Sequence, residues 1–182
     1  MLNKFAPIIM TERLILREHR LEDFPDCAKL WADDRVTRYI GGRVFSEEAT
    51  WTKFLRCVGH WSLMGFGYWL VREKNTQKLV GEVGFVDYKR NIVPAYTDTP
   101  EAVWALNPAF QGQGYAVEAA MAVLNWGDQH LPRERTVCLI ALDNEASIRL
   151  AQKLGYREFD RANYHGDAVI LFERLNAQKR DK

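Results

Sequence analysis

Polar and apolar positions along this chain change period several times, and each change marks a new element. Leu14 and Leu16 alternate with Ile15 and Arg17, the two-residue repeat of a short strand. Asp23 then caps a helix in which Phe24, Cys27, Ala28 and Trp31 fall at i, i+3, i+4 and i+7. After Gly41 and Gly42, Ser46 caps a second helix with Glu47 and Glu48 in its first turn, and Trp51, Phe54, Leu55 and Val58 repeat the spacing. Residues 67–71, 79–86 and 102–106 are short runs rich in Val, Trp, Phe and Tyr, with a turn at Lys74, Asn75 and Thr76. They predict an antiparallel meander. Helical spacing returns from Val117, with Ala120, Met121 and Leu124 on one face, and residues 137–142 read as a buried strand. Ser147 to Leu154 forms a helix closed by Gly155. Residues 156–159 and 168–175 pair around the turn at His165, Gly166 and Asp167. The order βααβββαβαββ describes a mixed α/β fold.

A chain of 182 residues, 47% hydrophobic and 27% charged, is expected to form one domain, burying ~70% of its unfolded surface. We place that domain at residues 11–176, between an N-terminal extension (1–10) and a polar, basic tail (177–182). With 25 Lys plus Arg against 24 Asp plus Glu, the charge of +1 creates no field that gathers nucleic acid or a membrane surface, so neither is an expected partner. Cys27, Cys57 and Cys138 lie far apart without CxxC spacing, which argues against a disulfide framework. The apolar stretch before Thr11 is too short for a signal peptide or a span, and the chain is expected to be cytoplasmic. The four histidines show no ligand spacing and no metal is expected; no Gly-x-Ser-x-Gly elbow or Cys-His pairing offers a covalent nucleophile.

The stretch Glu101-Ala-Val-Trp-Ala-Leu-Asn-Pro-Ala-Phe-Gln-Gly-Gln-Gly-Tyr-Ala-Val-Glu118 runs from a strand through a glycine-bearing loop straight into a helix. Such a junction presents the unpaired amides of a helix start, and Gly112 and Gly114 let an oxygen-rich group, such as a diphosphate, approach the backbone. A Walker loop would need Gly-Lys-Ser/Thr, but Gly114 is followed by Tyr115 and Ala116. A dinucleotide fingerprint would need a small residue where Val117 stands. Taken alone, Gly-x-Gly after a strand is more often a tight turn than a ligand site.

A second segment supplies the context. Gln111-x-x-Gly114-x-Ala116 resembles the acyl-coenzyme A loop of the GNAT N-acetyltransferase superfamily. Asn144-x-x-Ser147-Ile-Arg-x-x-x-Lys153-x-Gly155-Tyr156 is similar to that superfamily's RimJ/RimL-type branch, as is the opening Thr-Glu-Arg-Leu-Ile-Leu-Arg17. The resemblance implies a GNAT fold, with a strongly twisted mixed sheet, helices on both faces and splayed central strands. It implies acetyl-CoA as co-substrate, its diphosphate on the amides of Gly112, Gln113, Gly114, Tyr115, Ala116 and Val117. Its pantetheine arm would pair with Trp104, Ala105 and Leu106, where a bulge splays the strand from residues 137–142. An amide of that strand would face the carbonyl oxygen as it gains charge, and one such donor is worth ~2.7 to 4 kcal/mol in other acyl transfers.

Acetyl transfer needs a neutral amine and a stabilised thiolate, with unperturbed pKa values near ~10 and ~8.5. Glu101 is the leading candidate for base or amine-orienting group, with Glu82 second; Glu101 is equally readable as a solvated or salt-bridged strand residue, and Glu82 more readily so. The tyrosine many GNAT enzymes place seven residues after the asparagine is Ala151 here. The branch pattern points instead to Ser147 as acid and to Asn144 as a hydrogen-bonding partner of the coenzyme arm, although both also suit a helix cap. Val117 stands where the loop often carries a basic residue, which leaves Arg149, Lys153 or Arg157 to add phosphate affinity. Trp51, Trp61, Phe66, Tyr68 and Trp69 read chiefly as core, with some of these rings, and Tyr164, available to line an acceptor pocket. The expected activity is direct transfer in a ternary complex to a primary amine: a peptide N-terminus or a small amine such as an amino acid, polyamine or aminoglycoside. The alternative is a catalytically silent acyl-CoA-binding module. Either a monomer or a homodimer fits.

Overall fold

The computed structural model describes residues 5–176; the start of the N-terminal extension and the tail at 177–182 lie outside the described residues. Among them, eight strands form one sheet in the order β1-β2-β3-β4-β5-β6-β8-β7, with β5 and β6 parallel and every other neighbouring pair antiparallel. The strands are β1 (Ile9–Met10), β2 (Leu14–Arg17), β3 (Tyr68–Glu73), β4 (Leu79–Val86), β5 (Glu101–Leu106), β6 (Arg135–Ala141), β7 (Arg157–Tyr164) and β8 (Asp167–Leu175). The helices are α1 (Phe24–Trp31), α2 (Asp34–Thr37), α3 (Glu47–Met64), α4 (Tyr115–His130) and α5 (Glu145–Lys153). No helix of the described residues is long and apolar enough to cross a membrane. All three cysteines are buried and free.

Helices cover both faces, and the two-residue repeat of β3 shows how. Leu70 turns toward the side packed by α1 and α3, whereas Trp69 and Val71 turn toward α4. On that second side Trp69, Trp126 of α4 and Trp61 from the end of α3 meet edge to face, with ring centroids 4.6 to 5.4 Å apart. Trp61 and Trp69 spend their indole N–H groups on the carbonyls of Tyr68 and Pro7, so the rings are buried without an orphaned donor.

Element types follow the periodicity; several faces and caps do not. Ser46 caps α3 as expected, accepting from the Ala49 amide at 3.1 Å. The buried face of α3, however, is Thr50, Lys53, Phe54, Cys57 and Trp61, while Trp51 (37%), Leu55 (52%) and Val58 (42%) are exposed. The helix is turned because Lys53 is drawn inward by Glu82 of β4. Asp23 does not cap α1 through its side chain; its carboxylate is taken by Arg17 and Arg72. Met121 also lies outside the inner face of α4, which is Ala119, Ala120, Val123, Leu124 and Gly127. The cap of α5 is Asn144, whose Oδ1 accepts from the Ser147 amide at 3.2 Å, so the helix opens before Ser147. The two-residue β1 and four-residue α2 are too short to leave a periodic trace.

Candidate active site at the parted strands

β4 and β5 are paired over six positions, from Gly81 with Leu106 to Val86 with Glu101. On its other side β5 meets β6 at a single pair, Glu101 with Val137. The two strands then part. No register shift occurs on β5, so the expected bulge is absent; the shifts fall in the β3–β4 and β7–β8 pairs instead. The gap opens because β6 is drawn into seven-residue register with β8, whereas β5 stays with β4.

At the wide end of the gap the chain passes through a short 3-10 turn at Pro108–Phe110 and the Gln111–Gly114 turn into α4. Asn107 holds this corner. Its Oδ1 accepts from the Ala109 amide, and its Nδ2 donates to the Leu79 carbonyl. Gly112 and Gly114 have φ of 73° and 81°, a left-handed backbone in which L side chains are strained, so glycine is required by conformation alone. Among the described residues the N–H groups of residues 112–117 find no acceptor, leaving a row of donors at the positive end of a helix dipole.

The back of this loop is clamped. Glu118 Oε1 accepts from Thr11 Oγ1 (2.6 Å) and the Arg13 amide (2.8 Å), and Oε2 accepts from Arg13 Nε (2.7 Å). The same guanidinium donates to the Gln113 carbonyl (2.9 Å) and lies 4.1 Å from the Tyr115 ring centroid. Burial alone would raise the Glu118 carboxyl, but the hydrogen bonds from Thr11 and Arg13 hold it below the ordinary range. Arg149, Lys153 and Arg157 do not line the cleft, and Arg149 is paired with Glu145 at 2.9 Å. The cation against the loop is Arg13, from the Thr-Glu-Arg-Leu run whose resemblance to the branch gives it no part in the loop.

Gap and loop open into one cleft of about 1010 Å³. Trp104, Ala105, Leu106, Gly112, Gly114, Ala116, Asn144, Ser147 and Glu101 all line it, so the structure brings most of the expected site together. Gln113, Tyr115 and Val117 contribute no cleft-lining surface. The Gln113 side chain donates to the Ala109 carbonyl, and the Tyr115 ring packs edge-on against Phe110. The far end is framed by Trp31, Tyr68, Tyr88 and Tyr164; of the five aromatic residues grouped by sequence, only Tyr68 reaches the cleft.

The two candidate glutamates have different surroundings. Glu82 is sealed in the core, where Oε1 lies 2.8 Å from His19 Nε2 and Oε2 accepts from Trp31 Nε1 (3.0 Å) and from Lys53 Nζ. Burial would raise this carboxyl; the Lys53 charge and the His19 hydrogen bond outweigh that and hold it far below the carboxylate range. It therefore takes no proton from an amine near neutral pH. The Cys27 thiol beside it is pushed up by burial and by the Glu82 charge. His19, Cys27 and Glu82 offer ligand atoms within 4.8 Å of one another, yet the Lys53 ammonium and the protonated thiol make this a hydrogen-bonded polar core, not a cation cage.

Glu101 borders the cleft at the point where the strands part. Arg90 Nε and Nη2 each reach one of its oxygens at 2.6 Å, and the Tyr96 hydroxyl donates to Oε2 at 3.0 Å. Arg90 itself lies over the rings of Tyr88 and Tyr164. Sequence spacing contains no signal for Arg90 or Tyr96, because both come from the irregular β4–β5 connection and meet Glu101 only in the fold.

The profile of the acetyltransferase (GNAT) domain matches residues 13–157 of this chain. An uncharacterized N-acetyltransferase of Bacillus subtilis, YnaD, is 30% identical over 149 residues, covering 82% of each protein. A Bordetella pertussis structure described as a GNAT-family acetyltransferase superposes with a TM-score of 0.82 at 31% identity, over 93% of this chain and 99% of that one. A spermidine N-acetyltransferase from Vibrio cholerae, solved with CoA and spermine, shares the fold at a TM-score of 0.73 and 16% identity, over 92% and 98% of the two chains. Parted strands, a donor-lined loop and these matches define an acyl-CoA-dependent transferase fold, and the chain belongs to the GNAT acetyltransferase family. It is an N-acetyltransferase.

Proposed function

We propose that the protein transfers the acetyl group of acetyl-CoA to the α-amine of a peptide, by direct attack within a ternary complex. The observation that carries this reading is the single-pair junction of β5 and β6, which opens directly onto the unpaired amides at residues 112–117. A slender chain with a diphosphate at one end fits that combination: the arm fills the missing strand position beside Trp104, Ala105 and Leu106, and the phosphates take the loop donors. The acetyl carbon then lies toward Glu101, and the free β5 amides facing the gap supply a donor for the carbonyl oxygen. Asn144 and Ser147 stand across the gap on α5, in reach of the arm and the sulfur.

Glu101 acts as the orienting group for the incoming amine. A carboxylate offers about four lone-pair sites. Arg90 uses one on each oxygen and Tyr96 one on Oε2, which leaves Oε1 with a site for an amine N–H. Water takes the proton the nitrogen sheds. The acceptor enters past Tyr88, Tyr164 and the exposed segment 38–44, an open approach that suits a chain end.

The test measures CoA thiol release with acetyl-CoA and a panel of peptides with free N-termini, amino acids, polyamines and aminoglycosides. Peptides are expected to give the highest kcat/KM, and Glu101→Gln is expected to lower it by about tenfold, ~1.4 kcal/mol of barrier. Faster turnover of a small amine overturns the acceptor assignment. Tight acetyl-CoA binding without turnover of any amine overturns the enzyme in favour of a silent binding module.

A further inference from the structure

Trp104 and Ser147 face each other across the parted strands, one on β5 and the other on α5. Trp104 Nε1 lies 3.1 Å from Ser147 Oγ, a hydrogen-bond distance. An indole N–H is a donor and never an acceptor, so the serine oxygen must be the acceptor. The Ser147 main-chain amide is separately fixed by Asn144 Oδ1 at 3.2 Å. A hydroxyl has one proton and two lone pairs, and here one lone pair is committed to the indole. The proton has no acceptor among the described residues, not even the carbonyl one helical turn back that serines commonly use. It is left pointing away from Trp104, and Ser147 lines the cleft.

We infer that Trp104 is a positioning residue: its indole N–H fixes the rotor of Ser147 so that the serine proton is presented to the sulfur of the bound thioester. This rests on the assignment of Ser147 as the acid in the reaction proposed above. In the step it serves, the amine nitrogen bonds to the acetyl carbon and the carbon–sulfur bond breaks. The electron pair goes to sulfur, which takes the Ser147 proton, and the serine recovers one through water from the acetylated nitrogen. Without the indole, the hydroxyl can turn to other acceptors and spends only part of its time aimed at sulfur. Trp104→Phe keeps an aromatic ring in the slot and removes the donor together with part of the indole's bulk.

The experiment uses free CoA, whose thiolate absorbs in the ultraviolet, and needs no acceptor. The pKa of the bound thiol is read from pH titrations of the CoA complex minus those of the complex with desulfo-CoA, for the parent, Trp104→Phe, Ser147→Ala and the double variant. A donor aimed at sulfur lowers the thiol pKa, so both single variants should raise it by about 0.4 to 1. The double variant should raise it no further than Ser147→Ala. If Ser147→Ala raises the pKa and Trp104→Phe does not, the positioning role is overturned while the acid survives. If Ser147→Ala has no effect, the acid assignment falls and takes the positioning role with it. If CoA does not bind at all, the acyl-CoA reading itself fails.

Discussion

Glu82 and Glu101 occupy adjacent strands, β4 and β5, both are buried, and both are held by a cationic side chain. Their consequences diverge because of where the partners originate. Glu82 gathers His19 from the segment after β2, Trp31 from α1 and Lys53 from α3, and it does not line the cleft. Glu101 gathers Arg90 and Tyr96 from one connecting loop and keeps a border on the cleft. The first arrangement is a fastening between sheet and helices; the second leaves coordination capacity at a substrate boundary. Residue type, burial and the number of hydrogen bonds are shared, so a border on the cleft is what separates the two carboxylates.

The comparison is broken most directly at Glu82. Glu82→Ala leaves the Lys53 ammonium buried without its counter-charge and is expected to cost about 3 to 5 kcal/mol in urea unfolding. Lys53→Met together with Glu82→Leu should recover much of that loss, because removing both charges removes the penalty. Unfolding at the parent's urea concentration for Glu82→Ala alone would show that the cluster fastens nothing.

Asp23 sharpens the comparison as a second buried carboxylate away from the cleft. Burial would raise its carboxyl, but hydrogen bonds from Arg17 and Arg72 lower it to about 2. A carboxyl depressed from 3.8 in this way contributes about 2 kcal/mol of stability that is fully present above pH 4 and is lost as the pH falls toward 2. Stability measured against pH should drop over that window in the parent and much less in Asp23→Asn.

The smallest effect is expected at Glu118, whose partners hold the loop and leave the core alone. Glu118→Gln turns an amide donor against Arg13 and loosens the turn at 112–114. Calorimetry should find acetyl-CoA bound about fivefold more weakly, ~1 kcal/mol, with the unfolding midpoint nearly unchanged. An unaltered affinity would remove the clamp from the account of cofactor binding.

Local signals made much of this architecture legible. Periodicity marked the longer helices and most strands, and the glycine loop between β5 and α4 was recognisable because its requirements are local: left-handed backbone and free helix-start amides. What escaped depends on contacts distant along the chain. Lys53 is counted as polar by any periodic rule, yet it is buried 29 positions before its partner, and that displaced the predicted face of α3. Arg13 lies 105 residues from Glu118, so sequence points for the loop's cation to α5 and the start of β7, whereas the fold brings it from the segment before β2. The role of Asn144 was half visible, since a side chain that caps a helix and one that meets a ligand look the same in sequence.

The parted strands carry one more implication. An interior sheet edge invites whatever matches its ladder, and this one lies inside the cleft beside Ser147 of α5 and the Trp104 side chain. Under the reading proposed above, an extended chain that can lie as a strand beside β5 is favoured over a branched metabolite with the same phosphates. Discrimination of that kind belongs to the weave of the backbone, and it would persist through many changes in the side chains around it.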